Sequence, residues 1–454
     1  MQPHKYPERS VAWTGVVILS SLYAFSFIDR GVLNLLVDPV SKALHIGDIQ
    51  MSFLIGGSFA IIYGLLGLPL AHLADITNRR RIILAGAFLW GISTFLCGFA
   101  NTFWALVICR MGLAVGEAAL SPAAYSLLAD WFPPGGRTLP SAVYTWSGGF
   151  GARVGGIGLG VLILYIVERR SLSHTPFLSA FQPWQLMFFV VALPTLLLAL
   201  LFLFTGREPT RELGSAHPEE GAKLGEAFSH IQANPALYGA LLAGTGMNNL
   251  ATAALGAWAP QIIKRNYGWP ISKAAVVLGT VGLVSSVIGA ILLPMLYDWI
   301  RVRLRRPDLP IALSVALSVT GCWIIAAAPM MPNAYLLVLC DFVGGSLAVA
   351  SAMLSNISLP VIAPPRMRAI LISIYLLMCS AVTATFAPTI AAVLSTYVFA
   401  DQGARALGMG ASTVAALTPL LTVSLLLPAR RAFGRAISAS LPPPPAARPA
   451  PAMA

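Results

Sequence analysis

Residues 116–125, GEAALSPAAY, place a glutamate inside an otherwise apolar helical run. One ionised carboxylate in a bilayer core costs about 3 kcal/mol or more. The reading of the whole chain turns on whether this run lies in a membrane, and on what holds Glu117 there.

The composition settles the first point. Of 454 residues, 57% are hydrophobic and only 10% charged, and the 40 glycines and 33 prolines are abundant inside apolar runs, unlike a soluble protein. Twelve apolar stretches of membrane-spanning length are centred near residues 24, 60, 91, 117, 152, 195, 249, 285, 318, 347, 383 and 418. The fold expected is all-α, with twelve transmembrane helices in two six-helix halves. The apolar run after MQPHKYPERS shows no A-x-A cleavage site, so it reads as a retained first span.

The net charge of +12 is dealt out among short loops rather than gathered in a patch with interleaved aromatics, which argues against nucleic acid. With the N-terminus inside, the cytoplasmic segments carry 19 basic residues and the opposite loops seven. The positive-inside rule then puts both termini in the cytoplasm, with the chain in the inner (plasma) membrane. The cysteines at 97, 109, 322, 340 and 379 all lie in apolar stretches and have neither a disulfide framework nor metal-ligand spacing. No cofactor or metal is expected.

The charged stretch 206–235 separates an N-terminal half, 1–205, from a C-terminal half, 236–428, and a Pro-rich tail, 429–454, follows that is expected to be disordered. A shift of 231 residues superposes Cys109 on Cys340, Pro133-Pro134 on Pro364-Pro365, Arg137 on Arg368 and Tyr144 on Tyr375. Matches in that order favour a duplicated unit.

Four stretches then carry a resemblance: FIDRGVLNLLVDP (27–39), YGLLGLPLAHLADITNRRRII (63–83), RMGLAVGEAALSPAAYSLLADWFP (110–133) and PWQLMFFVVALP (183–194). Together they resemble the major facilitator superfamily, and within it the spinster-like branch. The resemblance implies a secondary active transporter that works by proton-coupled alternating access. It also implies a gate at LADITNRRR, where Asp75 closes a helix C-terminus that needs cations, supplied by Arg79, Arg80 and Arg81. YDWIRVRLRR is a degenerate second copy containing Asp298. Two features depart from the family pattern. The glycine-proline signature of drug antiporters is absent from SGGFGARVGGIGLG (147–160), where Arg153 replaces a small or apolar residue, and span six opens with Trp184-Gln185 where many relatives have Trp-Arg. The glycine run itself reads as close helix packing.

Arg110 and Glu117 are seven residues apart, on one helix face and about 10 Å apart along the axis, so they can line one cavity without pairing. Asp29 and Arg30 point about 100° apart on span one, and Asp29 falls at a depth between Arg110 and Glu117, where it can meet Arg110. The resemblance assigns proton coupling to Asp29, Arg110 and Glu117. Intramembrane charges are functional by default, although Ser121 or Tyr125 is close enough to satisfy Glu117 structurally. The substrate-binding candidates are Arg30, Arg110, Arg153, Asn248 and Asn249, with Arg30 the expected contact because Arg110 is engaged by Asp29. Three arginines against two acids in the spans of the first half predict an anionic solute. Asp341, near the outer end of span ten, reads equally well as functional or structural.

No H-E-x-x-H, G-x-S-x-G or phosphate-loop motif supports a membrane-embedded enzyme, the remote alternative. A channel suits the paired halves less well than a carrier does. The leading expectation is a proton-linked carrier of an organic, amphipathic or lipid-like anion, acting as a monomer in the lipid bilayer. Uptake of a small organic carboxylate is the alternative.

Overall fold

The computed structural model describes residues 6–169, 178–209, 224–304, 309–362, 367, 371, 374 and 386–440. Helices dominate because nearly every run is apolar and long, and in lipid a backbone satisfies its hydrogen bonds within a helix. Among the described residues, ten helices are long and apolar enough to cross a membrane, and Ala387–Val398 is a shorter apolar helix. Span one is Arg9–Leu35, and a short helix, Val37–Leu44, follows it. Span two runs through Asp48–Ser52, a π-turn at Phe53–Gly57 and Ser58–Ile76. Spans three to six are Arg79–Cys97, Phe103–Trp131, Thr138–Ile163 with a π-turn at Leu164–Glu168, and Pro183–Thr205.

In the second half, span seven is broken at Asn249 into Ala240–Asn248 and Leu250–Tyr267. Span eight is Ile271–Val287, a π-turn at Ile288–Leu292, and Leu293–Leu304. Spans nine and ten are Leu309–Ala327 and Ala334–Ile362, the described part of span eleven is Ala387–Val398, and span twelve lies within Ala406–Ser440. This is the twelve-helix plan expected from the sequence. Of the repeat matches, Pro364, Pro365, Arg368 and Tyr375 lie outside the described residues, as does Cys379. The π-turns carry the duplication instead: those of spans two and five recur in spans eight and eleven.

Polar side chains set the starts of several spans. Asn78 Oδ1 accepts from the Arg81 N–H at 2.9 Å and Thr102 Oγ1 from the Ala105 N–H at 3.2 Å, each satisfying a donor that the first turn leaves free. Gln185 accounts for its place after Trp184. Its Oε1 accepts from the Gln182 N–H at 2.8 Å, and its Nε2 reaches Asn101 Oδ1 at 3.3 Å, tying span six to the loop between spans three and four.

Spans three and four touch at two glycines. A Cβ on Gly116 would stand 2.3 Å from the Gly86 carbonyl oxygen and 2.7 Å from Trp90, so only glycine lets Trp90 approach Glu117's helix this closely. The glycine run of span five does pack helices: Gly148, Gly151 and Gly155 sit against Tyr23, Phe27, Ala24 and Ile28 of span one, while Gly156 and Gly160 meet span eight.

A set of polar contacts joins the halves at the end of the bundle opposite Arg9. Lys264 Nζ bonds Asp38 at 2.5 Å, and Arg265 bonds Asp48 at 2.7 and 3.0 Å and Asp38 at 3.3 Å. The Gln261 amide nitrogen, in the orientation that pairs donors with acceptors, lies 3.1 and 3.2 Å from the Asp38 oxygens. Glu168 caps the first turn of span eight through the Ser272 N–H (3.1 Å) and Oγ (2.7 Å), and Ser52 meets Thr389 at 3.3 Å. The bundle is closed at this end.

Candidate functional site

A cavity of about 660 Å³ lies between the halves, walled by spans one, two and five on one side and seven, eight and eleven on the other. The first half gives it aromatic and charged residues: Tyr23, Phe27, Arg30, Phe59, Tyr63 and Arg153. The second half gives small ones, Ala253, Gly256, Ala257 and Ser286.

The partner of Glu117 is Arg30. Nε of Arg30 donates to Glu117 Oε2 at 2.8 Å, and Nη2 donates to the same oxygen. Glu117 is 2% exposed, and its Oε1 has no partner among the described residues. The expectation that Ser121 or Tyr125 satisfies it does not hold, since Ser121 bonds the Tyr144 hydroxyl at 3.2 Å and Tyr125 bonds Thr145 at 2.7 Å. Nor is Arg30 free for a solute. Besides Glu117 it has aromatic rings on several sides, with its Cζ 4.3 Å from the Phe59 centroid, 4.9 Å from Phe27 and 5.7 Å from Tyr63. Stacked guanidinium groups are stabilised by the ring quadrupoles and held in a fixed plane.

Asp29 turns the other way, into span three. Its Oδ2 accepts from Trp90 Nε1 and, at 3.2 Å, from Thr94 Oγ1, while Oδ1 is buried with no partner among the described residues. Arg110 does contact residue 29, but through the backbone. Its Nη1 donates to the Asp29 carbonyl at 3.5 Å and its Nε to the Leu54 carbonyl at 3.3 Å. Leu54 lies in the π-turn of span two, where the extra residue leaves a main-chain carbonyl for an outside donor. Arg110 is fully buried, and its Nη2 has no partner among the described residues. Arg153 lines the cavity with neither hydrogen bond nor ion pair among the described residues, and Asp341 of span ten, partly buried, lies within electrostatic reach of it. Asn249 sits at the break in span seven, one turn before the cavity-lining Ala253. The Asn248 side chain lies outside the described residues.

At the terminus end, the arginine cluster has partners that the sequence reading missed. Buried Arg79 bonds Asp130 Oδ2 at 2.5 Å, Glu208 Oε1 at 2.9 Å and Ser126 Oγ at 2.9 Å. Glu208 also accepts the Arg80 backbone N–H at 2.8 Å, and Arg80 Nη2 reaches the Leu203 carbonyl at 2.5 Å. Span three is thereby pinned to spans four and six. Arg81 is exposed, and the side chains of Asp75 and Asp298 lie outside the described residues. The clue in the sequence was the acid at each neighbouring span end, in LADWFP and GREP.

A charged centre in a seam between two repeated six-helix halves, closed at one end, defines a membrane carrier. Residues 19–388 match the Major Facilitator Superfamily, and the chain belongs to that family of transporters. It is 25% identical over 405 residues to an MFS-type efflux pump of Mycolicibacterium smegmatis, covering 88% of each chain. It is 24% identical over 387 residues to the sphingosine-1-phosphate transporter SPNS2 of Xenopus tropicalis, covering 80% of this chain and 69% of that one. Its fold matches the crystal structure of a bacterial homolog of the human lysosomal transporter Spinster in an inward-facing, unoccupied conformation. That match has a TM-score of 0.79 at 23% identity and covers 96% of this chain and 100% of the other. The spinster-like character read from the sequence has its counterpart in these matches.

Proposed function

We propose that this transporter carries an amphipathic organic anion by proton-coupled alternating access, with both termini in the cytoplasm, so that the closed end is the outer one. The observation that carries the reading is the ion pair between buried Glu117 and part-exposed Arg30 at the wall of the inter-half cavity. Glu117 occupies the guanidinium that a carboxylate or phosphate would seek. A proton on Glu117 removes the competing charge and frees the fork of Arg30, so proton and anion bind together. The aromatic side chains of Tyr23, Phe27, Phe59 and Tyr63 around that one charge suit a solute with an apolar body. The relative named as a sphingosine-1-phosphate transporter adds support for that class.

Proteoliposomes loaded to maintain a pH gradient test this with radiolabelled octyl phosphate and gluconate, measured against protein-free liposomes. The parent is expected to accumulate octyl phosphate, and Glu117→Gln to lose accumulation while keeping exchange, because glutamine mimics the protonated acid. Gluconate accumulating in place of octyl phosphate would replace the amphipathic reading by the small-carboxylate one. Accumulation by Glu117→Gln at the parent level would remove the proton role.

A further inference from the structure

With Arg30 committed to Glu117 and Arg110 held by two carbonyls, one cationic side chain at the cavity remains without an acceptor among the described residues: Arg153. It lies on the face of span five that carries Gly149, Ala152 and Arg153, an i, i+3, i+4 set facing the cavity. Its guanidinium reaches out of the first half and lies on the backbone of the second. A Cβ on Gly282 of span eight would stand 2.5 Å from Nη1 and 3.0 Å from Cζ, so the glycine there makes the space the arginine occupies. Asp341 is near enough to act on it electrostatically but forms no ion pair with it.

We infer that Arg153 is the anion anchor of this carrier, the residue that binds the carboxylate or phosphate head of the solute at the seam while Glu117 is still ionised. The inference rests on the anionic-solute reading above and gives Arg153, not Arg30, the first contact. A guanidinium at a cavity wall with no acceptor among the described residues has a bidentate oxyanion as its natural complement. Placement matters as much as charge. A head group held across Gly282 touches both halves at once, so its binding free energy differs between the arrangements that rocking the halves produces, as ligand-driven switching requires. Arg30 then joins when a proton neutralises Glu117. In the same cavity, Asn34 Oδ1 is buried with no partner among the described residues and offers an acceptor for a protonated phosphate or a hydroxyl.

Binding to the full-length protein in nanodiscs tests the assignment, with octyl phosphate, inorganic phosphate and octanol as probes and tryptophan fluorescence as readout. Loss of one charge-assisted contact is worth about tenfold in affinity or more. Arg153→Ala should therefore weaken octyl phosphate binding by about that factor while shifting octanol by less than about twofold. Arg153→Lys keeps the charge without the fork and should fall between the two. Gly282→Ala, which fills the guanidinium's place from the opposite half, should weaken octyl phosphate by about threefold with Arg153 intact. Inorganic phosphate competing with octyl phosphate in the parent but not in Arg153→Ala supports a head-group site. Three results overturn the anchor: equal discrimination of octyl phosphate from octanol by the parent and Arg153→Ala, a Gly282→Ala variant with parental affinity, or phosphate competition that survives Arg153→Ala. A parent that does not itself discriminate the two probes would overturn the anionic-solute reading, and the anchor with it.

Discussion

Inside the first half, spans one and four carry Asp29, Arg30, Arg110 and Glu117. Among the described residues, the interior of the second half is joined by hydroxyls, and Asp341 of span ten is an exception. Ser314 of span nine bonds the Ser351 hydroxyl at 2.9 Å and Ser355 at 2.7 Å, Ser351 donates to the Ser314 carbonyl at 2.8 Å, and Ser346 bonds Ser285 at 3.0 Å. The two halves share a helix plan and differ in what it would cost to disturb them. Buried charges require every partner to be in place, because an orphaned one costs several kcal/mol. Hydroxyl contacts are worth about 1 kcal/mol each, and a serine on a helix can turn to its own backbone instead. The first half is therefore built as a rigid charged frame. The second half supplies small residues to the cavity and is held together by contacts that tolerate rearrangement.

Breaking the frame should give the largest effect. Arg110→Ala removes a donor to each of the Leu54 and Asp29 carbonyls and a buried cation that acts on both Asp29 and Glu117. A loss of about 3 kcal/mol in stability and of more than about 100-fold in transport is expected. Thermal unfolding and proteoliposome flux measure both, and Arg110→Ala with flux near the parent's would end the claim that the first half depends on its charges.

Much of this frame was legible in the sequence, because span length, loop charge and the rarity of intramembrane ions are direct consequences of lipid as solvent. Asp29, Arg30, Arg110 and Glu117 stand out for that reason alone. Their pairing was not legible. Adjacent residues point about 100° apart on a helix, and the rotation of span one that sends Asp29 to Trp90 and Arg30 to Glu117 comes from Gly151 and Gly155 of span five seating Ala24 and Ile28. No spacing rule reports the π-turn that offers Leu54 to Arg110, since it arises from one inserted residue in an ordinary apolar run. The charges at the closed end were read as topology only. Their signal was chemical: the acids Asp38 and Asp48 follow span one, and the bases Lys264 and Arg265 end span seven, the corresponding place in the other half.

That closed end is where the two halves can be set against each other. Arg265→Ala deletes the contacts to both Asp38 and Asp48 and should shift the balance toward opening at this end by about tenfold, read as a change in the distance distribution between spin labels at positions 42 and 273. Burial alone would raise the Asp38 carboxyl, but the hydrogen bond and charge of Lys264 together with Arg265 outweigh it and hold the group below the ordinary carboxylate range. A depressed acid contributes its stabilisation above its unfolded pKa and loses it as the pH falls through the folded one. The closed distance should therefore persist from neutral pH down to about pH 4 and give way only below it. Opening in mild acid, or an unchanged distribution in Arg265→Ala, would contradict the lock.

The smallest effect is expected in the hydroxyl cluster, and it sharpens the contrast most directly. Ser314→Ala deletes a hydroxyl that is fully buried and bonded to two others. The change is nearly isosteric, so no large cavity follows. Ser351 keeps the Ser314 carbonyl as its acceptor, because that carbonyl belongs to the main chain and survives the substitution. Ser355 can turn to a carbonyl of its own helix, the local alternative open to any helical serine. About 1 kcal/mol of stability should be lost, with flux within about twofold of the parent. A loss of transport as large as that of Arg110→Ala, without matching destabilisation, would show that the second half also holds its residues in a fixed functional geometry, and the division between a charged frame and an adaptable hydroxyl-bonded half would have to be given up.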